Sequence, residues 1–359
     1  MGFGKIRDQE VAVKMLRAAL RKRRLSHAYL FEGPDSVGKR LTALTFAGAA
    51  NCGEVDDDSC GTCLSCLKIA DAKHPDVTVV EPTKAGRIIH KQAMEDVVAS
   101  ASLKPYEATY RVSIILEAER MNAVSANKFL KTLEEPPGSS LFVLVSHNPN
   151  QLLPTISSRC QRVKFRPLTP HTVEELLVRE RDLPQERARI ISILAQGQMS
   201  TAFELADSDK REFVAKLIAD LADRRDPLLV ARDFLGRLKK ERDRIKDLLK
   251  EQELPPEGDS KDLAERQEAH YASVFRKDLL SYLDLMRVWY RDVFVFVETG
   301  LDKRLWNADS VPAVAQLAER HDRAGIEVKV GAVARAQMLL EHNVNEERVF
   351  KELFFTLAD

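Results

Sequence analysis

The sequence has no excess charge of either sign. Its 359 residues hold 55 Lys and Arg against 55 Asp and Glu. This excludes a chain that grips nucleic acid over its whole surface by charge alone, because such binding needs unmatched cations to displace counterions. No run of about 18 apolar residues occurs, so no membrane-spanning helix is expected. The opening Met1-Gly2-Phe3-Gly4-Lys5 leads straight into a charged helical pattern, and no secretory leader is expected there. Lys5 and Arg7 stand where a myristoylation signal wants small or hydroxyl residues. Aromatic residues are scarce at 6%, yet the hydrophobic fraction of 44% is too high for a disordered chain. At roughly 100–200 residues per domain, the length allows two or three. The expectation is a soluble, cytoplasmic, helix-rich protein of several domains.

Cysteine is also sparse, with five residues, but it is not scattered. Cys52, Cys60, Cys63 and Cys66 form the pattern Cys-x7-Cys-x2-Cys-x2-Cys, and Cys160 stands apart. Clustered thiols in a cytosolic chain bind metal more often than they pair as disulfides. Two-residue spacers let neighbouring thiolates face one ion, and four thiolates complete a closed tetrahedral zinc shell. An iron–sulfur cluster also takes four thiolates. A closed shell leaves no position for substrate or water, so the metal would be structural. Cys160 is not expected to be a ligand.

Residues 8–24 read as an amphipathic helix with Val11, Met15, Leu16 and Leu20 on its apolar face. Short apolar runs at 28–31, 77–80, 112–116, 141–145 and 163–165 read as strands. Helical patterns lie between them at 41–50, 91–103 and 122–134, the last ending before Pro136-Pro137. Such alternation indicates a parallel, doubly wound α/β sheet. After Pro167 and Pro170 the strands stop. Residues 171–206 read as a small helical lid, followed by helices over 210–250, 262–298, 311–320 and 330–356. The stretch Pro255-Pro256-Glu257-Gly258-Asp259-Ser260 reads as an internal loop. The mixed-sign run from Arg237 to Lys250 reads as a solvated helix face.

Gly33-Pro34-Asp35-Ser36-Val37-Gly38-Lys39 fits G-x-x-x-x-G-K between a strand and a helix. In that context glycines let backbone N–H groups curl around phosphate, and Lys39 reaches its oxygens. The next residue should carry a hydroxyl for Mg²⁺, but here it is Arg40, whose guanidinium cannot ligate a cation. The strand at 112–115 should end in an acid that binds Mg²⁺. It continues Leu116-Glu117-Ala118-Glu119, so Leu116 occupies the first acidic position and Glu117 remains as a water activator. The loop reads as a degenerate phosphate loop, the alternative being a plain glycine-rich strand–helix turn. ATP or ADP binding stays open, and Mg²⁺ is not expected.

Four strings act together. They are Ser26-His27-Ala28-Tyr29-Leu30-Phe31-Glu32-Gly33-Pro34, the four cysteines, Asn127-Lys128-Phe129-Leu130-Lys131-Thr132-Leu133-Glu134-Glu135-Pro136-Pro137, and Pro154-Thr155-Ile156-Ser157-Ser158-Arg159-Cys160-Gln161. With them the chain resembles the clamp-loader branch of the AAA+ family. The motifs are specific over about 5–170, and Leu339-Leu340-Glu341-His342-Asn343-Val344-Asn345 is similar to the family's C-terminal ending. The resemblance implies an AAA+ nucleotide-binding-type domain over 1–168 with a zinc module at 52–66. A helical lid over 169–210 and a helical collar domain over 211–359 would follow. It further implies that Arg159, positioned by Ser158 and Cys160, enters the ATP site of a neighbouring subunit. Asn148 matches the position that senses γ-phosphate in active relatives. Family ATPases place an arginine where Thr201 stands here, a third departure after Arg40 and Leu116.

The implied role is a non-hydrolysing stator within the DNA polymerase III clamp loader. Its partners would be gamma/tau and delta subunits, with the sliding clamp and primer–template DNA reached through the complex. Two rivals remain. The chain could be an active gamma/tau-like ATPase that recruits Glu117 and Glu119 for its magnesium. It could instead be a zinc-dependent DNA-binding protein, although Glu54, Asp56, Asp57 and Asp58 beside the thiols would repel phosphate.

Overall fold

A computed structural model describes residues 2–82, 88–251, 260–342 and 344–358. The chain divides into two compact units, Met1–Val173 with Gln196–Ser200, and Glu174–Ala195 with Thr201–Asp359.

The first unit holds β1 (Ala28–Glu32), β2 (Val77–Val80), β3 (Arg111–Ile115), β4 (Ser140–Ser146) and β5 (Gln161–Lys164) in one sheet of order β2-β3-β4-β1-β5. Every pairing is parallel. The apolar runs of the sequence fall on these strands, and they are continuous because both faces of the sheet are covered. Side chains alternate between the faces along each strand. Tyr29 and Phe31 face one cluster with Val112, Ile114 and Val143, which is capped by Leu16 and Leu20 of α1 (Glu10–Arg21) and Phe46 of α2 (Lys39–Ala50). Ala28 and Leu30 face the other with Ile115, Phe142 and Leu144. That face is covered by Met94 and Val97 of α4 (Lys91–Ala101), Phe129 of α5 (Ala123–Glu134) and Ile156 of α6 (Pro154–Ser157). The short α3 (Leu64–Ala70) belongs to the cysteine-rich insert.

Asn122 caps α5 through a hydrogen bond accepted from Ser125 N at 2.8 Å, and the helix stops before Pro136-Pro137 as the sequence suggests. Gly197 brings the 196–200 segment onto this unit. Its φ is +78°, and a Cβ there would lie 2.5 Å from the Leu168 carbonyl oxygen. Met199 N then donates to Ser36 O in the phosphate-type loop at 3.3 Å.

The second unit is helical: α8 (Gln185–Leu194), α10 (Lys210–Ala222), α11 (Pro227–Glu251), α12 (Ser260–Thr299), α13 (Val311–Ala318), α14 (Arg323–Glu341) and α15 (Glu346–Ala358). Helices α7 (Pro170–Arg181) and α9 (Met199–Ala206) begin before the unit's boundary residues and run into it. Phe234 sits at the centre, with ring centroids 4.5 Å from Phe350, 5.4 Å from Phe354 and 5.5 Å from Tyr282. Two helical runs differ from expectation. The 210–250 stretch breaks at 223–226, and 330–356 breaks between α14 and α15. Asn345 accepts a hydrogen bond from Arg348 N at 3.1 Å and starts the last helix there.

The Arg237–Lys250 run is not simply solvated. Glu241 is buried and pairs with Arg237 at 3.1 Å, and Arg242 reaches Glu346 at 2.6 Å, because this face of α11 packs within the unit. Of the expected loop at 255–260, only Ser260 lies within the described residues. Asn343 of the C-terminal string lies outside them too.

Candidate functional site

The loop after β1 has the backbone that a phosphate cradle needs. Gly33, Ser36 and Gly38 all have positive φ, and α2 begins at Lys39. Gly33 cannot be replaced freely, because a Cβ would lie 2.4 Å from the Phe165 carbonyl oxygen beside β5. Lys39 is 5% exposed, and its Nζ donates to Gly33 O at 2.7 Å and to Pro34 O. The lysine thus satisfies itself on the loop's own carbonyls. Burial lowers its pKa, while Asp35 and Glu119 pull it back up.

Arg40 turns away from the loop and reaches Glu81, at the end of β2, at 2.6 Å. Leu116 is buried at the end of β3, and its N–H donates to Val80 O at 2.9 Å. Neither position carries an oxygen ligand for Mg²⁺. Glu117 adopts left-handed backbone (φ 47°) and approaches Arg120 at 3.7 Å. Asn148 precedes a 3-10 turn, and its side chain makes no capping hydrogen bond there.

Beside these residues lies a pair whose partnership the sequence does not advertise. Glu119 Oε1 is 2.6 Å from His147 Nδ1, just past β4, with the Glu119 side chain fully buried. Burial alone would raise the Glu119 pKa, but the hydrogen bonds it accepts, that of His147 foremost, together with the imidazole's charge outweigh it and hold the carboxyl down to about 2. Glu119 in turn raises the pKa of His147. The pair engages Oε1, while Oε2 is buried without a hydrogen-bond partner.

The four expected ligands do converge. The Sγ atoms of Cys52, Cys60, Cys63 and Cys66 all lie within 4.8 Å of one another. Four thiolates around one zinc at about 2.3 Å would stand roughly 3.8 Å apart, so the cluster fits with a small contraction. Cys60 and Cys66 are already at 3.9 Å. Cys60 Sγ also accepts hydrogen bonds from Thr62 Oγ1 and N, both at 3.5 Å, and from Cys63 N at 3.2 Å. These bonds, that of the Thr62 hydroxyl foremost, lower the Cys60 pKa to about 6. Ser59 Oγ lies 3.1 Å from Cys66 Sγ.

Three of the four acidic residues beside the thiols, Asp56, Asp57 and Asp58, face arginines. Asp57 pairs with Arg21 at 2.9 Å and Arg17 at 3.4 Å, Asp58 pairs with Arg17 at 3.2 Å, and Asp56 lies 3.6 Å from Arg23. The insert is therefore clamped to the basic side of α1. The expected repulsion of phosphate is offset locally by these arginines, and α1's arginines are equally occupied.

Ile156 and Cys160 are both buried, in the core face under α5, and the short turn between them carries Arg159 outward. Burial raises the Cys160 thiol to about 12, the behaviour of an inert packing thiol. The Thr155 carbonyl accepts from Ser158 Oγ at 3.2 Å and from Arg159 Nη1 at 3.0 Å. Arg159 Nη2 lies 2.6 Å from Glu134 Oε1 at the end of α5. The role of Glu134 was not legible, since 25 residues separate it from Arg159. Thr201 lies in α9, outside the unit that holds the phosphate-type loop.

A parallel sheet with this loop at the end of an inner strand, other strand ends beside it and an insert whose four thiols could hold a metal defines a P-loop nucleotide-type fold. A sequence model described as "DNA polymerase III, delta subunit" matches residues 8–169. The chain is 30% identical to DNA polymerase III subunit delta' of Bacillus subtilis (strain 168) over 358 residues, 98% of this chain and 96% of that protein. It is 35% identical to the corresponding subunit delta' of Pseudomonas aeruginosa over 54% of this chain and 60% of that one. It is 32% identical to DNA polymerase III subunit tau of B. subtilis over 66% of this chain but only 43% of that protein. The chain belongs to the clamp-loader family of DNA polymerase III, with the subunits delta'.

Proposed function

We propose that the chain is the non-hydrolysing stator of a DNA polymerase III clamp loader. The observation that carries this reading is the pair of substitutions at the phosphate loop. Arg40 is drawn to Glu81 and Leu116 is buried, so both positions that should supply Mg²⁺ with oxygen lack it. The internal hydrogen bonds of Lys39 also favour a silent site.

In this reading Arg159 acts in trans. A guanidinium offers planar, permanently charged donors, and in phosphoryl transfer it stabilises the charge that develops on the γ-phosphate of a neighbouring subunit's ATP. Cys160 and Ser158 position it. Cys52, Cys60, Cys63 and Cys66 hold one structural zinc, which cross-links the insert. The helices from 211 onward form part of a collar with gamma/tau and delta subunits in the cytoplasm. The sliding clamp and primer–template DNA are engaged through the complex.

The test is steady-state ATP hydrolysis by the isolated chain with Mg²⁺. The stator reading expects no turnover above that of a Lys39→Ala variant. Turnover that depends on Lys39 would instead favour the active, gamma/tau-like reading.

A further inference from the structure

We infer that Glu134 is a positioning residue for Arg159. This rests on the trans-acting reading of Arg159 given above. Glu134 is the last residue of α5 and is followed by Glu135. Two acids at a helix C-terminus oppose the partial negative charge of the last carbonyls, where cations are favoured. A local choice that works against the helix points to a use elsewhere, and the structure supplies one. Glu134 Oε1 lies 2.6 Å from Arg159 Nη2, while the Thr155 carbonyl holds Nη1 at 3.0 Å. The two acceptors lie on separate elements, α5 and α6, so they fix the plane of the guanidinium as well as its place.

Arg159 has five N–H donors in a fixed fork, and these two contacts engage only part of it. The side chain remains 35% exposed. Its remaining edge is presented outward at a set angle, where an anion on a neighbouring molecule can be met without first ordering a long, flexible side chain. Orientation of this kind lowers the barrier only when the partner's transition state is in place. Removing Glu134 is therefore expected to act on kcat and to leave the KM for ATP unchanged.

The experiment is ATP hydrolysis by the reconstituted complex of partner ATPase subunits with this chain. The variants are wild type, Glu134→Ala, Glu134→Gln, Arg159→Ala and the double variant Glu134→Ala/Arg159→Ala, with assembly checked by size-exclusion chromatography. Glu134→Ala is expected to lower kcat about two- to fivefold, the size of effect a half-exposed ion pair carries. Glu134→Gln should lose less, because its amide oxygen still accepts from Nη2, and being isosteric it gives the readout if the alanine variant fails to assemble. In the Arg159→Ala background the substitution should cost nothing further. If Glu134→Ala and Glu134→Gln match wild type while Arg159→Ala is impaired, the positioning role is overturned and the reading of Arg159 stands. An equal loss with and without Arg159 also overturns it. If Arg159→Ala has no effect, both fall together.

Discussion

The carboxylate of Glu119 and the imidazole of His147 meet at 2.6 Å beside the phosphate-type loop, with Glu119 wholly buried. The pair imposes a pH dependence whose sign is fixed. His147 has a raised pKa in the fold, so its contribution is full below the ordinary histidine value of about 6.5 and is lost as pH rises through the folded value. Glu119, held down to about 2, contributes above the ordinary carboxylate value of about 4.3 and loses that contribution only as pH falls toward 2. Thermal melts of wild type and His147→Gln at pH 6 and pH 9 check this. The wild-type advantage should be about 2 °C at pH 6 and smaller at pH 9. An advantage independent of pH would contradict the ion pair.

The thiol cluster predicts one zinc per chain by elemental analysis, and none in Cys66→Ser. Removal by a chelator should lower the melting temperature by roughly 5 °C or more, because the metal replaces packing that the short insert lacks. Cobalt substitution should give a thiolate charge-transfer band with tetrahedral visible absorption. Iron and sulfide in the purified chain would instead point to a cluster.

Gly33 is expected to tolerate no side chain. Gly33→Ala combines a φ of +149° with a Cβ placed 2.4 Å from the Phe165 carbonyl oxygen, and it should cost about 2 kcal/mol or more. Gly38→Ala meets open space at a φ of +93° and should cost only about 1 kcal/mol. Denaturant titration of the two variants orders them.

The sheet and the thiol cluster were the most legible parts of the sequence. Strands buried on both faces must be short apolar runs, and thiols that share an ion must be spaced for it, so Tyr29, Phe142 and the four cysteines announced themselves. The turn between β1 and α2 was legible from its glycines, since Gly33 and Gly38 adopt the positive φ that their residue type allows. The partners of these groups were not. Nothing in the spacing links Arg40 to Glu81, Glu119 to His147 or Arg159 to Glu134, because each contact is made by the fold across distant strand and helix ends. The break before α15 carried a signal in Asn345, a good helix-starting residue, but the apolar pattern running across it read as one helix.

The central claim is that this chain hydrolyses no ATP and completes a neighbour's site with Arg159. It is tested most directly by ATP turnover of the partner ATPase subunits reconstituted with wild-type or Arg159→Ala chain. An arginine supplied in trans contributes about 10³–10⁵ to phosphoryl transfer. The site it serves should therefore fall nearly silent in the variant, and the complex should lose that site's share of turnover while still assembling. Equal turnover by the two complexes would contradict the account.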